Sequence, residues 1–382
     1  MELLHRAADF LVTSGTSERP SRIMNHLIHV SEQSERHIRK LCELSHHPRG
    51  RAVSSRCAGL VFVSAVIAFL TQIPALAQIA ARYPRDKNIA SDPAVIFADD
   101  FESYTNASQL ATRWSGVAHV DRMRIATETG NRFAGAKAVE MSLPISSREV
   151  SASLKKNVNT DTLFVRVYQK WATNYHVPGS NHNGIHISGG TLAGPGTPAP
   201  ANGTGFFIFL LQNVRSGRPG GMTDPGYDEI YAYWPKQRSD FGDHWWPDGW
   251  VFPPGGKGDW LLYPARYDDF RPMPNHLPQR NRWYCYELMV RANTPWLNDG
   301  EVKWWVDGKL TADFPDLKIR SIPTLQIEAA KLLLHATRTT QVTKKWYDNV
   351  VIAKHYIGPM VSTLTLPSPP PSPTRIEELG AR

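Results

Sequence analysis

The stretch NHNGIHI at 181–187 places His182 and His186 four residues apart. On a helix that spacing is a zinc pair. Here Gly184 and the following IHISGG read as a strand. In a strand the two imidazoles share a face but lie about 13 Å apart, too far for one ion. No HExxH motif and no cysteine cluster accompanies them. The chemistry left is that of a polar face. Asn181 and Asn183 can donate to a carboxylate, and His182 or His186 can exchange protons near neutral pH. The plain alternative is a hydrogen-bonded junction between loop and strand.

Other strands add to the inventory. In LFVRVYQKW, 163–171, Phe164, Arg166, Tyr168 and Lys170 alternate on one face, with Val165 and Val167 opposite. In DEIYAYW, 228–234, Tyr231 and Tyr233 share a face, while the adjacent carboxylates Asp228 and Glu229 point to opposite sides. Glu287 shares a face with Trp283, Cys285 and Met289. In EVKWWVDGKL, Val302, Trp304 and Val306 point one way and Glu301, Lys303 and Trp305 the other. Trp305 is then either packed at a sheet edge or a platform for a sugar ring. A face of Arg, Lys, Tyr, His and Asn suits an anionic polysaccharide. Glycoside hydrolysis would need paired carboxylates, and the compact Glu-x-Asp-x-x-Glu motif is absent. β-Elimination of a uronate needs a group that neutralises the carboxylate, a base for the C5 proton and an acid for the leaving oxygen. Those residue types are present. A separate cluster, Asp99, Asp100 and Glu102 in FADDFES, would meet Asp348 of KWYDNVVIA if the first and last strands pair. That set could hold a structural calcium ion, or be a solvated strand end.

The elements that must position these groups are strands. Short alternating runs separated by turn signals recur from AVIFADDF at 94–101 to KWYDNVVIAKHYI at 345–357, and no long stretch has a 3.6-residue period. This predicts an all-β fold, an antiparallel sandwich of jelly-roll type. Two irregular segments, 189–205 and 235–282, are long enough to shape a groove.

The chain has 382 residues and a formal net charge of +8. Arg49, Arg51 and Arg56, the apolar run 58–70 and ALA at 75–77 follow the order of a secretory signal. Cleavage is expected near Ala77–Gln78, giving a secreted or periplasmic protein. The long polar stretch before the run reflects either a start codon placed too early, with Met24 a candidate, or an extended N-terminal region. An anchoring helix is the alternative. Of the 3 cysteines only Cys285 lies beyond that point, so no intrachain disulfide is expected and Cys285 reads as buried packing. The expected organisation is a signal at 1–77, a lead-in at 78–93, one domain at 94–360 and a Pro-rich tail at 361–382. Scattered basic residues and an export signal disfavour nucleic acid. No stable membrane partner is expected, and the protein should be a monomer.

FADDFES, RWYCYELMVRANTPWLNDGEVKWWVDGKL and WYDNVVIAKHYIG resemble the concanavalin A-like jelly-roll superfamily, and more narrowly secreted polysaccharide lyases of the alginate or glucuronan type. The resemblance spans roughly 94–358, with its most specific parts at Arg282–Glu287 and Asp299–Gly308. It implies a groove across one sheet, with Asn181 or Asn183 as neutraliser, His182 or His186 as base and Tyr231 or Tyr233 as acid. Arg166 would match an arginine on a neighbouring strand, and Tyr168, Lys170, Trp305 and Glu287 would line the substrate. The Gln-x-His strand motif and the Tyr-Phe-Lys-x-Gly-x-Tyr strand of alginate lyases are absent. The expected function is cleavage of a uronic-acid polysaccharide by β-elimination. A non-catalytic carbohydrate-binding or adhesion module of the same fold is the alternative.

Overall fold

Alternation of apolar and polar residues is what the chain converts into two packed sheets. The computed structural model describes residues 78–178, 181–191, 203–215, 222–237, 241–252, 261–262 and 270–362. The expected export signal, the tail beyond 362, most of 189–205 and parts of 235–282 lie outside the described residues.

One antiparallel sheet has eight strands. Its order is β15 (Lys309–Leu317), β14 (Gly300–Val306), β13 (Tyr284–Arg291), β6 (Thr162–Trp171), β17 (Thr343–Ala353), β4 (Ala138–Leu143) and β3 (Met123–Ala126). The first strand, β1 (Val95–Asp99), pairs with the last, β17, with Asp99 opposite Val350. The second sheet has nine strands. It runs β12 (Leu261–Leu262), β11 (Trp250–Phe252), β10 (Asp243–Trp245), β9 (Tyr227–Tyr233), β8 (Phe206–Val214), β7 (Asn181–Gly190), β16 (Ile327–Ala336), β5 (Val150–Thr160) and β2 (Gly116–Ala118). Sequence-distant strands lie side by side: β6 between β13 and β17, and β16 between β7 and β5. Those crossovers make a jelly roll rather than a meander.

The inner faces form one core. Val302 and Trp304 of β14, Phe207 and Phe209 of β8, Ile230 of β9 and Leu332 and Leu334 of β16 are all buried in it. Trp245 joins the layers, with ring centroids 5.7 Å from Phe209 in its own sheet and 5.3 Å from Phe314 in the other. Full burial of each large side chain stabilises the fold by about 1.5–3 kcal/mol. Cys285 is buried and free, and burial pushes its thiol up to about 12. Among the described residues no helix is long and apolar enough to cross a membrane.

The outer face of the eight-stranded sheet is covered by the segments that precede the first strand and follow the last. Residues 78–93 form three short 3₁₀ turns. Ile79 and Ala80 donate their amides to the Tyr356 and Ile357 carbonyls. Asp86 of this segment forms an ion pair with Arg166, which is fully buried.

Candidate active site

The outer face of the nine-stranded sheet carries the groups able to move protons. His182 and His186 both project there from β7. Their neighbour Gly184 sits at φ 147°. A Cβ at this position would lie 2.1 Å from the Leu211 carbonyl oxygen, so only glycine fits. The β7–β8 ladder begins beyond it, at Ile185 opposite Leu211. Before it, Asn183 Nδ2 donates to the Asn213 carbonyl at 3.1 Å. A side chain thus replaces the missing ladder bond. Asn183 faces the core, where its Oδ1 accepts from Lys345 Nζ at 2.9 Å and Trp171 Nε1 at 3.2 Å. Lys345 is fully buried beneath the strand, where burial holds its amine well below the usual lysine range, with Nζ 4.5 Å from the Trp171 ring centroid.

Opening the ladder brings His182 against Gln212. His182 Nδ1 lies 2.9 Å from Gln212 Oε1. An amide oxygen only accepts, so Nδ1 carries the proton and Nε2 keeps its lone pair. Gln212 Nε2 in turn donates to Glu229 Oε1 at 2.7 Å, which also receives His244 Nδ1 at 2.6 Å. The His182 and Tyr231 rings are 4.7 Å apart, and His335, paired with His182 across β16, stacks on it at 5.1 Å. Tyr231 Oη donates to Tyr233 Oη at 3.3 Å and accepts from the Gly242 amide at 3.0 Å. The Tyr233 hydroxyl keeps its own proton to give. Phe206, Ile208, Leu210 and Leu333 complete an apolar floor with the two tyrosines. The floor is recessed, with Tyr231 only 8% exposed.

The electrostatics follow from that recess. Burial, then the nearby His335 and His244, push the His182 imidazole down to about 4, while the Gln212 contact acts the other way. It is therefore a neutral base at ordinary pH. His186 is held well below the usual range by burial and by Lys331, His182 and Lys155. Burial also raises the Tyr231 phenol, as does its contact with Tyr233. Lys331 and Lys155, directly opposite each other on β16 and β5, extend the same face with positive charge.

Of the expected site residues, the fold brings together His182, His186, Tyr231 and Tyr233. It separates the others. Arg166, Tyr168, Lys170, Glu287 and Trp305 lie on the far side of the molecule, on the outer face of the eight-stranded sheet. Each has a structural partner there. Arg166 holds Asp86 and the Asn349 carbonyl, 3.1 Å away. Tyr168 Oη accepts from the Met360 amide at 2.7 Å. Lys170 Nζ donates to the Gly130 carbonyl and to Asn131 Oδ1. Glu287 accepts from the Ile357 and Gly358 amides, both at 2.8 Å. Trp305 packs on Tyr356 at 5.0 Å. Asn183 points inward, so it does not reach a ligand beside His182. Asn181 pairs with Ala336 through the backbone, and its side chain lies outside the described residues.

The terminal carboxylates are engaged by protein donors. Asp99 accepts from Tyr104, Trp114 and the Phe101 amide. Asp100 accepts from the Glu102 amide, and Glu102 from the Ala136 and Lys137 amides. Asp348 accepts from the Phe133 and Ala134 amides. Among the described residues no group of three or more His, Cys, Asp or Glu side chains converges as a metal set.

Gln212, His244 and His335 belong to the cluster and were not singled out by the sequence, and Glu229 was noted there only as facing away from Asp228. Their signal was present: Gln212 ends the alternating series Phe206, Ile208, Leu210, and Glu229 precedes Tyr231 and Tyr233 at the same parity.

No family model matches the chain, and no curated protein matches its sequence. Among solved structures it is similar to a mutant of the alginate lyase Aly36B in complex with alginate trisaccharide, at 13% identity over 69% of this chain and 98% of that one, with a TM-score of 0.49. It is also similar to the PL-14 alginate lyase from Aplysia kurodai, at 13% identity over 68% and 99% of the two chains, TM-score 0.45. The endo-β-1,4-glucuronan lyase from Trichoderma reesei is similar at 12% identity over 68% and 95%, TM-score 0.39.

Proposed function

We propose that this protein is a polysaccharide lyase acting on a uronic-acid polymer at the outer face of its nine-stranded sheet. The observation that carries the reading is the His182–Gln212 hydrogen bond beside Tyr231 and Tyr233. It orients a neutral imidazole with a proton-accepting Nε2 next to a hydroxyl pair. Glu229 holds Gln212 and His244 together, and so sets the amide orientation and the His182 tautomer.

In the reaction, His182 Nε2 takes the C5 proton of a bound uronate. The C4–O bond breaks as the C4–C5 double bond forms, and Tyr233 gives its proton to the departing oxygen. Tyr231, anchored by the Gly242 amide, fixes Tyr233. His244 flanks the pair from β10 and is placed to lower the charge of the uronate carboxylate, while His335, whose Nε2 is 2.9 Å from Glu149 Oε1, supports the His182 ring from β16. Lys331 and Lys155 lie further along the face, where they would meet carboxylates of adjoining sugars. Phe206, Leu210 and the tyrosine rings supply the apolar surface that sugar rings stack on.

The apolar floor also supports the second reading, a carbohydrate-binding module without turnover. The two part on one experiment: incubation with a panel of polyuronates, followed by ultraviolet absorbance of the unsaturated uronate product. The lyase yields product with at least one polymer. Binding of a polyuronate, measured by calorimetry, with no product from any of them would establish the module instead.

A further inference from the structure

A cleft of about 470 Å³ opens at one end of the sandwich, between the segment at Met273–His276 and the β13 and β14–β15 strands. Its volume is in the range of small-ligand sites. The walls include His276, Arg282, Tyr284, Lys309 and Thr311, with Asp307 the one carboxylate. Behind it lies a buried polar cluster. His276 Nδ1 is 2.6 Å from Asp228 Oδ2, and Asp228 also accepts from Tyr286 Oη at 2.9 Å and from Asn213 Nδ2. Asp228 is fully buried, so these partners, together with the buried Lys345, compensate its charge in place of solvent. With Nδ1 committed to Asp228, Nε2 is the polar atom His276 has left for the cleft. Arg282 stacks its guanidinium 4.5 Å from the Tyr284 ring centroid and reaches Asp307 Oδ2 at 3.3 Å. Val306, Leu310 and Met273 give the remaining wall an apolar character.

We propose that this cleft is a second binding site, taking a sugar acid of one or two residues by its carboxylate through His276, Arg282 and Lys309. Counting Asp228 behind His276, three cationic groups stand against two carboxylates, and Arg282 and Lys309 reach the cleft itself with Asp307 as the one acidic wall residue, a balance that favours an anion. The Tyr284 ring and the aliphatic wall suit the body of a sugar. The choice of a sugar acid over other organic anions rests on the lyase reading, whereas the anion site itself does not.

The protonation of His276 shapes the expected pH response. Burial alone would lower it, but the hydrogen bond and charge of Asp228, with Asp307, outweigh burial and the opposing Arg282 and hold it above the ordinary histidine value. Tyr284 and Tyr286 also face it, at 5.6 Å and 6.4 Å between ring centroids, and Lys309 lines the same cleft. Affinity for the anion should thus be full at mildly acidic pH and fall as pH rises through the deprotonation of His276.

Isothermal titration of the full chain with glucuronate, glucose and inorganic sulfate tests the proposal. Glucuronate should bind and glucose should not. Affinity should weaken roughly tenfold or more in the double variant Arg282→Ala, Lys309→Ala. It should persist in His182→Ala, and its pH dependence should flatten in His276→Gln. Arg282 is largely exposed, and melting curves would confirm that the double variant folds. Glucuronate binding that survives the double variant but disappears in His182→Ala would place all binding at the first face and overturn the second site. No glucuronate binding at all would do the same. Sulfate binding as tight as glucuronate would overturn the sugar-acid class. Failure of the lyase reading shows separately, as polymer without product while glucuronate binding here continues.

Discussion

The two sheets each present a polar outer face, and they use polarity in opposite ways. On the eight-stranded sheet Arg166, Lys170, Tyr168 and Glu287 are spent on the segments flanking the first and last strands and on loop groups. Among the described residues both faces keep some buried polar atoms without a protein partner: Arg166 Nε and Asn349 Oδ1 on the eight-stranded sheet, and His186 Nε2, Glu229 Oε2 and His335 Nδ1, all within the histidine face, on the nine-stranded one. A buried polar group normally finds a hydrogen bond, and leaving one unmade costs about 1–3 kcal/mol. The difference is that the first face is covered by the protein's own segments, whereas the histidine cluster of the second is the face proposed above to take a ligand.

The sharpest way to break this comparison is a pair of substitutions. His182→Ala should lower turnover of a susceptible polyuronate by about 10²-fold or more, the range of general-base catalysis, with little change in melting temperature. Arg166→Ala should do the reverse. It strands Asp86 in a largely buried position and should cost about 3–5 kcal/mol of stability, while the folded fraction keeps its activity per molecule. Rates normalised to folded protein, beside denaturant unfolding, read both. A variant of Arg166 that folds normally but is inactive would move the active site to the other sheet.

A smaller effect sharpens the contrast. The pH profile of kcat/KM, which reports the free enzyme, should have its acid limb near 4, where His182 takes up a proton and ceases to be a base. An ordinary histidine would put that limb near 6.5. An observed limb near 6.5 would mean that the base is a better solvated group.

The smallest effect is on stability. Burial pushes Glu287 up to about 7, against the pull of the Ile357 and Gly358 amides, whereas an unfolded glutamate titrates near 4.3. Between those values the folded state binds more protons than the unfolded one, so this group makes stability fall as pH rises through that window. Glu287→Gln should flatten that part of the melting temperature against pH. A steeper fall in the variant would show that the two amide donors outweigh burial.

Much of the fold could be read from period-two patterns. In EVKWWV the expected inner residues Val302, Trp304 and Val306 are buried, and DEIYAY sends Asp228 inward and Glu229 outward as alternation requires. Alternation also placed His182 with His186, and Tyr231 with Tyr233. It could have excluded Asn183, whose parity is opposite to that of His182. What parity does not encode is which sheet a strand joins. The LFVRVYQKW strand was read as a neighbour of the histidine strand, yet its partners are β13 and β17. That pairing is decided by strands more than 100 residues away in sequence. The meeting of His182 with Gln212 is equally non-local, because it depends on where the β7–β8 ladder opens.

Gly184 has a consequence for anyone who redesigns this protein. A methyl group there would collide with backbone rather than with a side chain, so no compensating substitution on β8 could relieve it. A library across the face should therefore hold residue 184 constant and vary residues such as Ser188, Ile208 and Leu333, which decorate the surface without setting its register. Specificity could then drift freely around a histidine whose address does not change.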